Sequence, residues 1–249
     1  MTVKIENKDF WEKQDIIKTQ EVVESAADYE VYLFDQANKN AEDSAPVQKI
    51  KIFGCGTGRE VKAIAEFFKP KKIVASDISE NMISKCQVNL KTWGIDSIAE
   101  THVGNAKDFK GEKGSFDLVT IMNSMLTYVP LRNDRIAIFK NSYDLLKPKG
   151  TIIGTVHHQV GSPAKTYYFK MRKMFSFILG EKVGNRNTGF NGFKVPGYYY
   201  DKDTLIKDLQ AVGFSQVKVL SLEKYYKSVG KFYDRKKGYN NLMFLAIKN

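Results

Sequence analysis

From residue 49 to residue 248, short runs rich in β-branched and aromatic residues alternate with longer runs of helical period. That alternation marks repeated βαβ units around a mainly parallel sheet. Strands are expected over 49–53, 72–76, 99–103, 116–122, 151–156, 216–220 and 242–248, and helices over 59–68, 80–93, 132–146 and 202–212. Pro148-Lys149-Gly150 reads as the stop between a helix and a strand, and Gly213 as the end of the last helix. Upstream, Ile16, Gln20, Val23, Ala27, Val31 and Phe34 recur at spacings of three and four. They predict one amphipathic helix over 10–34 that caps the main body. The polar run 38–48, with Asn40, Asp43, Ser44 and Pro46, reads as a linker.

The 249 residues are 43% hydrophobic and 27% charged, which suits a globular chain and excludes collagen, low-complexity disorder and a disulfide mini-scaffold. We read a helical cap with its linker over 1–48 and an α/β domain over 49–249. Cys55 and Cys86 are too few for a disulfide framework, the first twenty residues hold no apolar signal core, and no run approaches a membrane span. A cytoplasmic protein with reduced thiols is expected. The net charge of +11 invites a nucleic-acid reading. Only Arg59, Arg132, Arg135, Arg172, Arg186 and Arg235 are arginines, however, and arginine is the side chain suited to bidentate phosphate and base contacts.

The first strand runs into Gly54-Cys55-Gly56-Thr57-Gly58-Arg59 and then into a helix. Glycine allows a sharp turn and a close backbone approach to a ligand, and a helix N-terminus offers unpaired N–H groups. Asp77 closes the second strand, where its carboxylate can accept from ribose hydroxyls or cap the next helix. These features, with the Gly104-Asn105-Ala106 turn, the Phe116-Asp117-Leu118-Val119 strand, Leu146-Lys147-Pro148-Lys149-Gly150 and Leu209-Gln210-Ala211-Val212-Gly213-Phe214, occur in one order. In that order the chain resembles the class I S-adenosylmethionine-dependent methyltransferases from about Phe10 to Asn249.

The resemblance implies a Rossmann-like, doubly wound α/β fold: a seven-stranded sheet with the last strand antiparallel, an N-terminal helical cap and a lid inserted after strand five. It implies S-adenosylmethionine as cofactor, with S-adenosylhomocysteine as product. Gly54, Cys55, Gly56 and Gly58 would approach its methionine and ribose parts, and Asp77 would hold the ribose. Ile78 and Met82 would lie near the adenine, with Asn105 and Ala106 at its edge. Met122 and Asn123 would face the methionine ammonium and the substrate. Two positions depart from the family pattern: Ile52 stands where an acid is usual, and Asn105 where Asp is usual. A nicotinamide-dependent oxidoreductase, the alternative on this architecture, would show G-x-G-x-x-G, whereas here the third glycine is Gly58.

Methyl transfer from a sulfonium needs the nucleophile held in line and water excluded, and a base only where the acceptor must lose a proton. The base candidates are His157 and His158 after the fifth strand, of which alternation lets at most one face the site, with Tyr128 positioning. His102 reads as packing or adenine-side. Residues 123–128 resemble the substrate-pocket stretch of small-molecule methyltransferases, including glycine N-methyltransferase, although His158 stands where the glycine enzymes place an arginine. Residues 157–200 exceed an ordinary connection and read as a lid. Its Tyr167, Tyr168, Met171, Met174, Phe175 and Ile178 share a helical face. Tyr167, Tyr168, Phe169, Phe190, Phe193, Tyr198, Tyr199 and Tyr200 would wall the site and bind a cationic amine through ring faces. A small amine or hydroxyl metabolite is therefore the expected acceptor, and no metal site is expected. Two competing readings are tRNA methylation through Lys224, Lys227, Lys231, Arg235, Lys236 and Lys237, and membrane-surface docking through residues 167–179.

Overall fold

The computed structural model describes residues 7–20, 25–42, 46–190, 193–235 and 240–249. Strands β1 (Lys49–Phe53), β2 (Lys72–Asp77), β3 (Ala99–Val103), β4 (Phe116–Ile121), β5 (Leu146–His157), β8 (Phe214–Ser221) and β9 (Asn241–Lys248) form one sheet in the order β3-β2-β1-β4-β5-β9-β8. β1 to β5 pair in parallel, and β9 runs antiparallel to both β5 and β8. The expected seven-stranded sheet with an antiparallel last strand is what forms. Helices α4 (Arg59–Phe68), α5 (Glu80–Thr92), α6 (Arg132–Leu145) and α9 (Lys202–Val212) are the expected ones to within a residue at their ends. β5 begins earlier than expected, because Pro148-Lys149-Gly150 lies within its first turn of pairing, where the β4 register slips between Phe116 and Leu118.

Strand alternation splits the core into two layers. Ile50 and Ile52 face Leu33, Phe34, Val61 and Ile64, while Phe53 faces the layer of Val119, Ile121, Phe139 and Phe244. The chain crosses between β1 and β4, and the carboxyl ends of the strands there frame the crevice in which open α/β sheets bind ligands.

The N-terminal region differs from the single helix expected over 10–34. It forms α1 (Asn7–Trp11), α2 (Gln14–Thr19) and α3 (Asp28–Glu42), and Val23 lies outside the described residues. The two short helices turn away to bury Phe10, Ile16 and Ile17 against Met82 and Val195. α3 extends into the expected linker and buries Leu33, Phe34 and Ala37 in the main core, whereas Val31 is exposed. α3 thus packs as a layer against the sheet.

The connection after β5 holds α7 (Pro163–Met174), α8 (Ser176–Leu179) and a hairpin of β6 (Asn185–Phe190) with β7 (Phe193–Tyr198). The hairpin was not expected from sequence. The face expected over one helix is split between α7 and α8 and largely turned to solvent: Tyr167 is 65% and Met174 62% exposed in α7, Ile178 70% in α8, and Phe169 is the aromatic that goes inside. α10 (Leu222–Ser228) leads from β8 toward β9.

The lid is fastened to the body by a buried arginine. Arg135, fully buried, donates from Nε to the Tyr200 hydroxyl (2.9 Å) and from Nη1 to the carbonyls of Val129 (2.9 Å) and Pro130 (2.8 Å). Its guanidinium lies 3.5 Å from the Tyr198 ring centre. The Tyr200 hydroxyl in turn donates to Asp208, which also accepts from Arg132. Arg135→Met removes the donor to two part-buried carbonyls and to the buried Tyr200 hydroxyl and should cost about 2–4 kcal/mol in urea unfolding; an unchanged midpoint would show that the network carries no stability.

Candidate active site

β1 ends in a turn tied to the neighbouring strand. The N–H groups of Gly54 and Cys55 both donate to the Ser76 carbonyl (2.8 and 3.1 Å), and the Gly56 N–H donates to Asp77 Oδ2 (2.9 Å). Asp77 Oδ1 accepts from the Ser79 N–H (3.0 Å), and Ser79 caps α5 by accepting from Met82 N–H. Asp77 thus organises the turn and the helix start together. Its carboxyl is raised by burial, against the lowering effect of the backbone N–H groups of Ser79, Gly56 and Ile78. Part of its surface stays accessible.

The glycines divide by what surrounds them. A Cβ on Gly54 would meet Met125 Cγ at 2.7 Å, and one on Gly58 would meet Cys86 Sγ at 2.9 Å, so both are required by packing. Gly56 also has a left-handed φ of +52°, yet a Cβ there would meet nothing within 4 Å. Of the three, it is Gly56 that faces open space, next to the Asp77 carboxylate. The Cys55 thiol is turned inward and raised by its hydrogen bond with Cys86 and by burial.

Around this opening, Ile78, Asn105 and Ala106 are half-buried. Asn105 Oδ1 accepts from the Lys107 N–H (3.2 Å), and Ala106 offers its carbonyl to Asn141 (2.8 Å). Met82 is placed otherwise than expected: the N-terminal helices cover it. Those helices also reach α5 through Glu12, whose carboxylate accepts from the N–H groups of Glu80 (2.8 Å) and Asn81 (3.2 Å). Met122 is buried in the core, and Asn123 and Ser124 follow with left-handed φ angles of 52° and 56°. Two consecutive non-glycine residues in that region store strain, and strain of this kind gathers at functional sites. The Ser124 N–H donates to Thr155 Oγ1 (2.9 Å), while its own hydroxyl is buried without a hydrogen-bond partner.

A charged group missed from sequence lies beside the same strand ends. Glu30 pairs both carboxylate oxygens with Arg59 (2.6 and 2.7 Å), and Arg59 also donates to Asn123 Oδ1 (3.0 Å). Glu60, buried at the start of α4, accepts from Thr120 Oγ1 and leaves Oε2 without a hydrogen-bond partner. Burial pushes its carboxyl up to about 8. The sequence signal was available, since an acid in the first turn after a glycine loop is favoured by the helix dipole. Thr120 is register partner to Ile52. The two side chains therefore share a face, and Glu60 brings its carboxyl to the place where a carboxylate on residue 52 would stand.

The histidines separate as alternation requires. His157, on the crevice side, lies 6.2 Å from Tyr128 and 5.2 Å from Tyr199, ring centre to ring centre, and its N–H donates to Thr127 Oγ1. His158 bridges to Tyr200 and faces Asp201 and Glu223. Burial, reinforced by Lys165, lowers His157 to about 3. Burial and Lys165 likewise hold His158 at about 4. Both are uncharged at neutral pH. Tyr128 is flanked on its other side by Trp11 of α1 (4.9 Å), so the N-terminal helices help to roof the crevice. His102 pairs with the exposed Glu100 (2.6 Å) at the far edge of the sheet. The aromatic cage expected for an amine does not form as such: Arg135 covers Tyr198, Lys165 and Arg186 flank Tyr199, and the side chains of Phe190 and Phe193 lie outside the described residues. The basic face considered for tRNA is partly neutralised, with Lys231 on Asp28 and Arg235 on Glu223; Lys236 and Lys237 lie outside the described residues. Among the described residues no cluster suits a metal ion and no helix is long and apolar enough to cross a membrane.

Residues 50–150, which hold β1, the glycine turn and the strands up to the start of β5, match the family described as methyltransferase domain. The chain is 36% identical over 102 residues to a demethylmenaquinone methyltransferase of Lactococcus lactis, a match covering 40% of this chain and 38% of that one. It spans about half the length, or less, of the curated relatives it matches. Among solved structures, an S-adenosylmethionine-dependent methyltransferase from Clostridium acetobutylicum superposes with a TM-score of 0.62 at 16% identity, covering 90% of this chain and 93% of that one. Haemonchus contortus phosphoethanolamine N-methyltransferase 2, solved with S-adenosyl-L-methionine, gives 0.61 at 16% identity over 97% of this chain and 59% of that one. At these identities the structural likenesses establish the fold.

Beneath the turn lies a buried lysine. Lys51 is fully buried on β1, donates to Ser76 Oγ (2.8 Å) and sits 3.6 Å from the centre of the Phe109 ring. Burial lowers its ammonium to about 7. In the unfolded chain a lysine titrates near its ordinary ~10.4, so between those values the unfolded state binds more protons and stability rises with pH, by up to about 1.4 kcal/mol per unit. Unfolding midpoints at pH 7, 8.5 and 10 should show that rise in the parent protein and less of it in Lys51→Met, which should be the more stable of the two at pH 7. Equal slopes would contradict this.

Proposed function

We propose that this protein transfers the methyl group of S-adenosylmethionine to a nitrogen or oxygen of a small metabolite. The observation that carries the reading is the open face of Gly56 beside the part-buried Asp77 carboxylate, in the stretch that matches the methyltransferase-domain family. A cofactor with a ribose and a charged amino-acid end fits what these residues offer. Asp77 keeps lone pairs for ribose hydroxyls after accepting from Gly56 and Ser79. Asn105 and Ala106 lie where the adenine edge would be read, beside Ile78.

The amino-acid end needs a carboxylate for its ammonium, and Ile52 supplies none. Glu60 supplies it from the helix: its unpartnered Oε2 is the buried acceptor next to Thr120. A buried carboxyl held near 8 is largely protonated at neutral pH, and an arriving ammonium favours its ionised form. Arg59 stands close by at Asn123 for the carboxylate of the same group.

When bound, the sulfonium supplies an already activated methyl group. What remains for the chain is to align the acceptor and exclude water. Tyr128 and Trp11 wall the crevice, and His157 is the base this side presents, with His158 directed elsewhere. The lipid-quinone and phosphoethanolamine enzymes among the similar proteins are consistent with an acceptor that is a small molecule.

Calorimetric titration tests the reading. S-adenosylhomocysteine should bind with micromolar affinity, and Asp77→Ala should weaken it about tenfold or more, a loss of ~1.4 kcal/mol. Glu60→Gln should weaken S-adenosylhomocysteine but leave 5′-methylthioadenosine, which lacks the amino-acid end, unchanged. Absence of S-adenosylhomocysteine binding to the parent protein would overturn the assignment.

A further inference from the structure

The lid buries positive charge without an acid to balance it. Five of the six arginines have partners: Arg59 on Glu30, Arg132 on Asp208, Arg135 on Tyr200, Arg172 on the carbonyls of residues 182 and 183, and Arg235 on Glu223. Arg186 has none among the described residues; its guanidinium is held only by ring faces, 5.3 Å from the centre of Tyr168 and 5.7 Å from that of Tyr199. Lys165 flanks the same Tyr199 ring, its Nζ 5.6 Å from the centre. Lys165 is only 8% exposed and is likewise without a carboxylate among the described residues.

This placement is built and not incidental. Ser162 caps α7 and Pro163 opens it, so that Lys165 falls in the first turn and folds back over Gly161. A Cβ on Gly161 would lie 2.2 Å from Lys165 Cε and 2.5 Å from Nζ, so the glycine is what makes room for the amine. The Gly161 N–H and carbonyl are both engaged by Thr166, which fixes the loop in that shape. A buried cation such as Lys165 is expensive unless paired, and the half-buried Arg186 on the same ring repels it as well. An anion seated there would offset both costs.

The neighbours show where that anion would sit. Tyr199 lies between the cations and His157, and His157 adjoins Tyr128 at the mouth of the crevice. We propose that Lys165 and Arg186, aligned on the rings of Tyr199 and Tyr168, form a receptor for an anionic group of the acceptor substrate, a phosphate monoester or a carboxylate. The inference rests on the crevice being the methyl-acceptor site. It replaces the amine-binding reading of the lid, because the ring faces that a cationic substrate would use are taken by the protein's own cations. An anion placed there also raises the basicity of the adjacent His157, which Lys165 now holds down.

The test titrates the full chain with inorganic phosphate, acetate and tetramethylammonium, with and without S-adenosylhomocysteine. One or both anions should bind and tetramethylammonium should not; tighter phosphate points to a phosphate monoester and tighter acetate to a carboxylate. Lys165→Met and Arg186→Met should each weaken the anion about tenfold, with S-adenosylhomocysteine affinity unchanged, and Arg186→Lys should recover part of the loss. Burial and Arg186 hold Lys165 at about 8, so anion binding just above that pH should take up protons, an uptake that Lys165→Met abolishes. Anion affinity equal in parent and variants, or no anion binding in a parent that binds S-adenosylhomocysteine, overturns the receptor. The methyl-transfer reading stands or falls on the S-adenosylhomocysteine titration alone.

Discussion

Everything at the active edge of the sheet depends on how β1 turns into α4 while staying bonded to the end of β2. Two N–H groups of the turn converge on the Ser76 carbonyl, and a third meets the Asp77 carboxylate. Because Asp77 also holds the Ser79 N–H, one side chain sets the turn and the start of α5 at once. That double duty holds the opening at Gly56 in place, which a ligand-binding carboxylate needs if it is to act without reorganising. Gly54 and Gly58 serve the same end differently, by letting Met125 and Cys86 pack against the backbone.

The interior carries an unusual load of charge, and its pairing distinguishes scaffold from site. Arg135 and Asp208 are buried and satisfied through Tyr200, and they fasten the lid. Lys51 is buried with a hydroxyl and two rings, which tolerate it in either protonation state. Glu60, Lys165 and Arg186 are different: Glu60 keeps one carboxyl oxygen without a hydrogen-bond partner, and Lys165 and Arg186 have no carboxylate beside them among the described residues. An ionisable buried acid on one side and two cations without a carboxylate on the other are what a ligand that is cationic at one end, with a partner anionic at the other, would complete.

Much of this was legible in the residues. The alternation of short and long periodic runs, the spacing of Gly54, Gly56 and Gly58 and the acid at Asp77 carry the strands, the helices and the glycine turn, because each is a local pattern with a local cause, whereas the seven-stranded sheet with its antiparallel last strand followed from the family resemblance. The lid hairpin was not legible: Arg186, Asn187, Thr188 and Gly189 have no strand periodicity of their own, and β6 and β7 hold through pairing with each other and packing on the turn at Thr127. Nor was the break between α2 and α3, where the stripe from Ile16 to Phe34 satisfies a helical period that tertiary packing overrides. The sequence also pointed to an amine-binding cage because it listed aromatics without saying which cations would reach them. Charges far apart in sequence, such as Glu30 with Arg59 or Lys165 with Arg186, are brought together only by the fold.

The two N-terminal helices join the halves of the site. Glu12 closes the N-terminus of α5 next to Ser79, Trp11 lies against Tyr128, and Phe10 packs with Val195 of the lid hairpin. Three residues in a row thus touch the cofactor side, the acceptor side and the lid. The contact at Glu12 is partly exposed and rests on backbone N–H groups, whose modest net energy makes it easier to open than the core beneath. Opening these helices would uncover Met82 and the crevice together, and closing them would expel water from both. The two sides of the crevice are thus joined through a shared covering element and not through contact with each other.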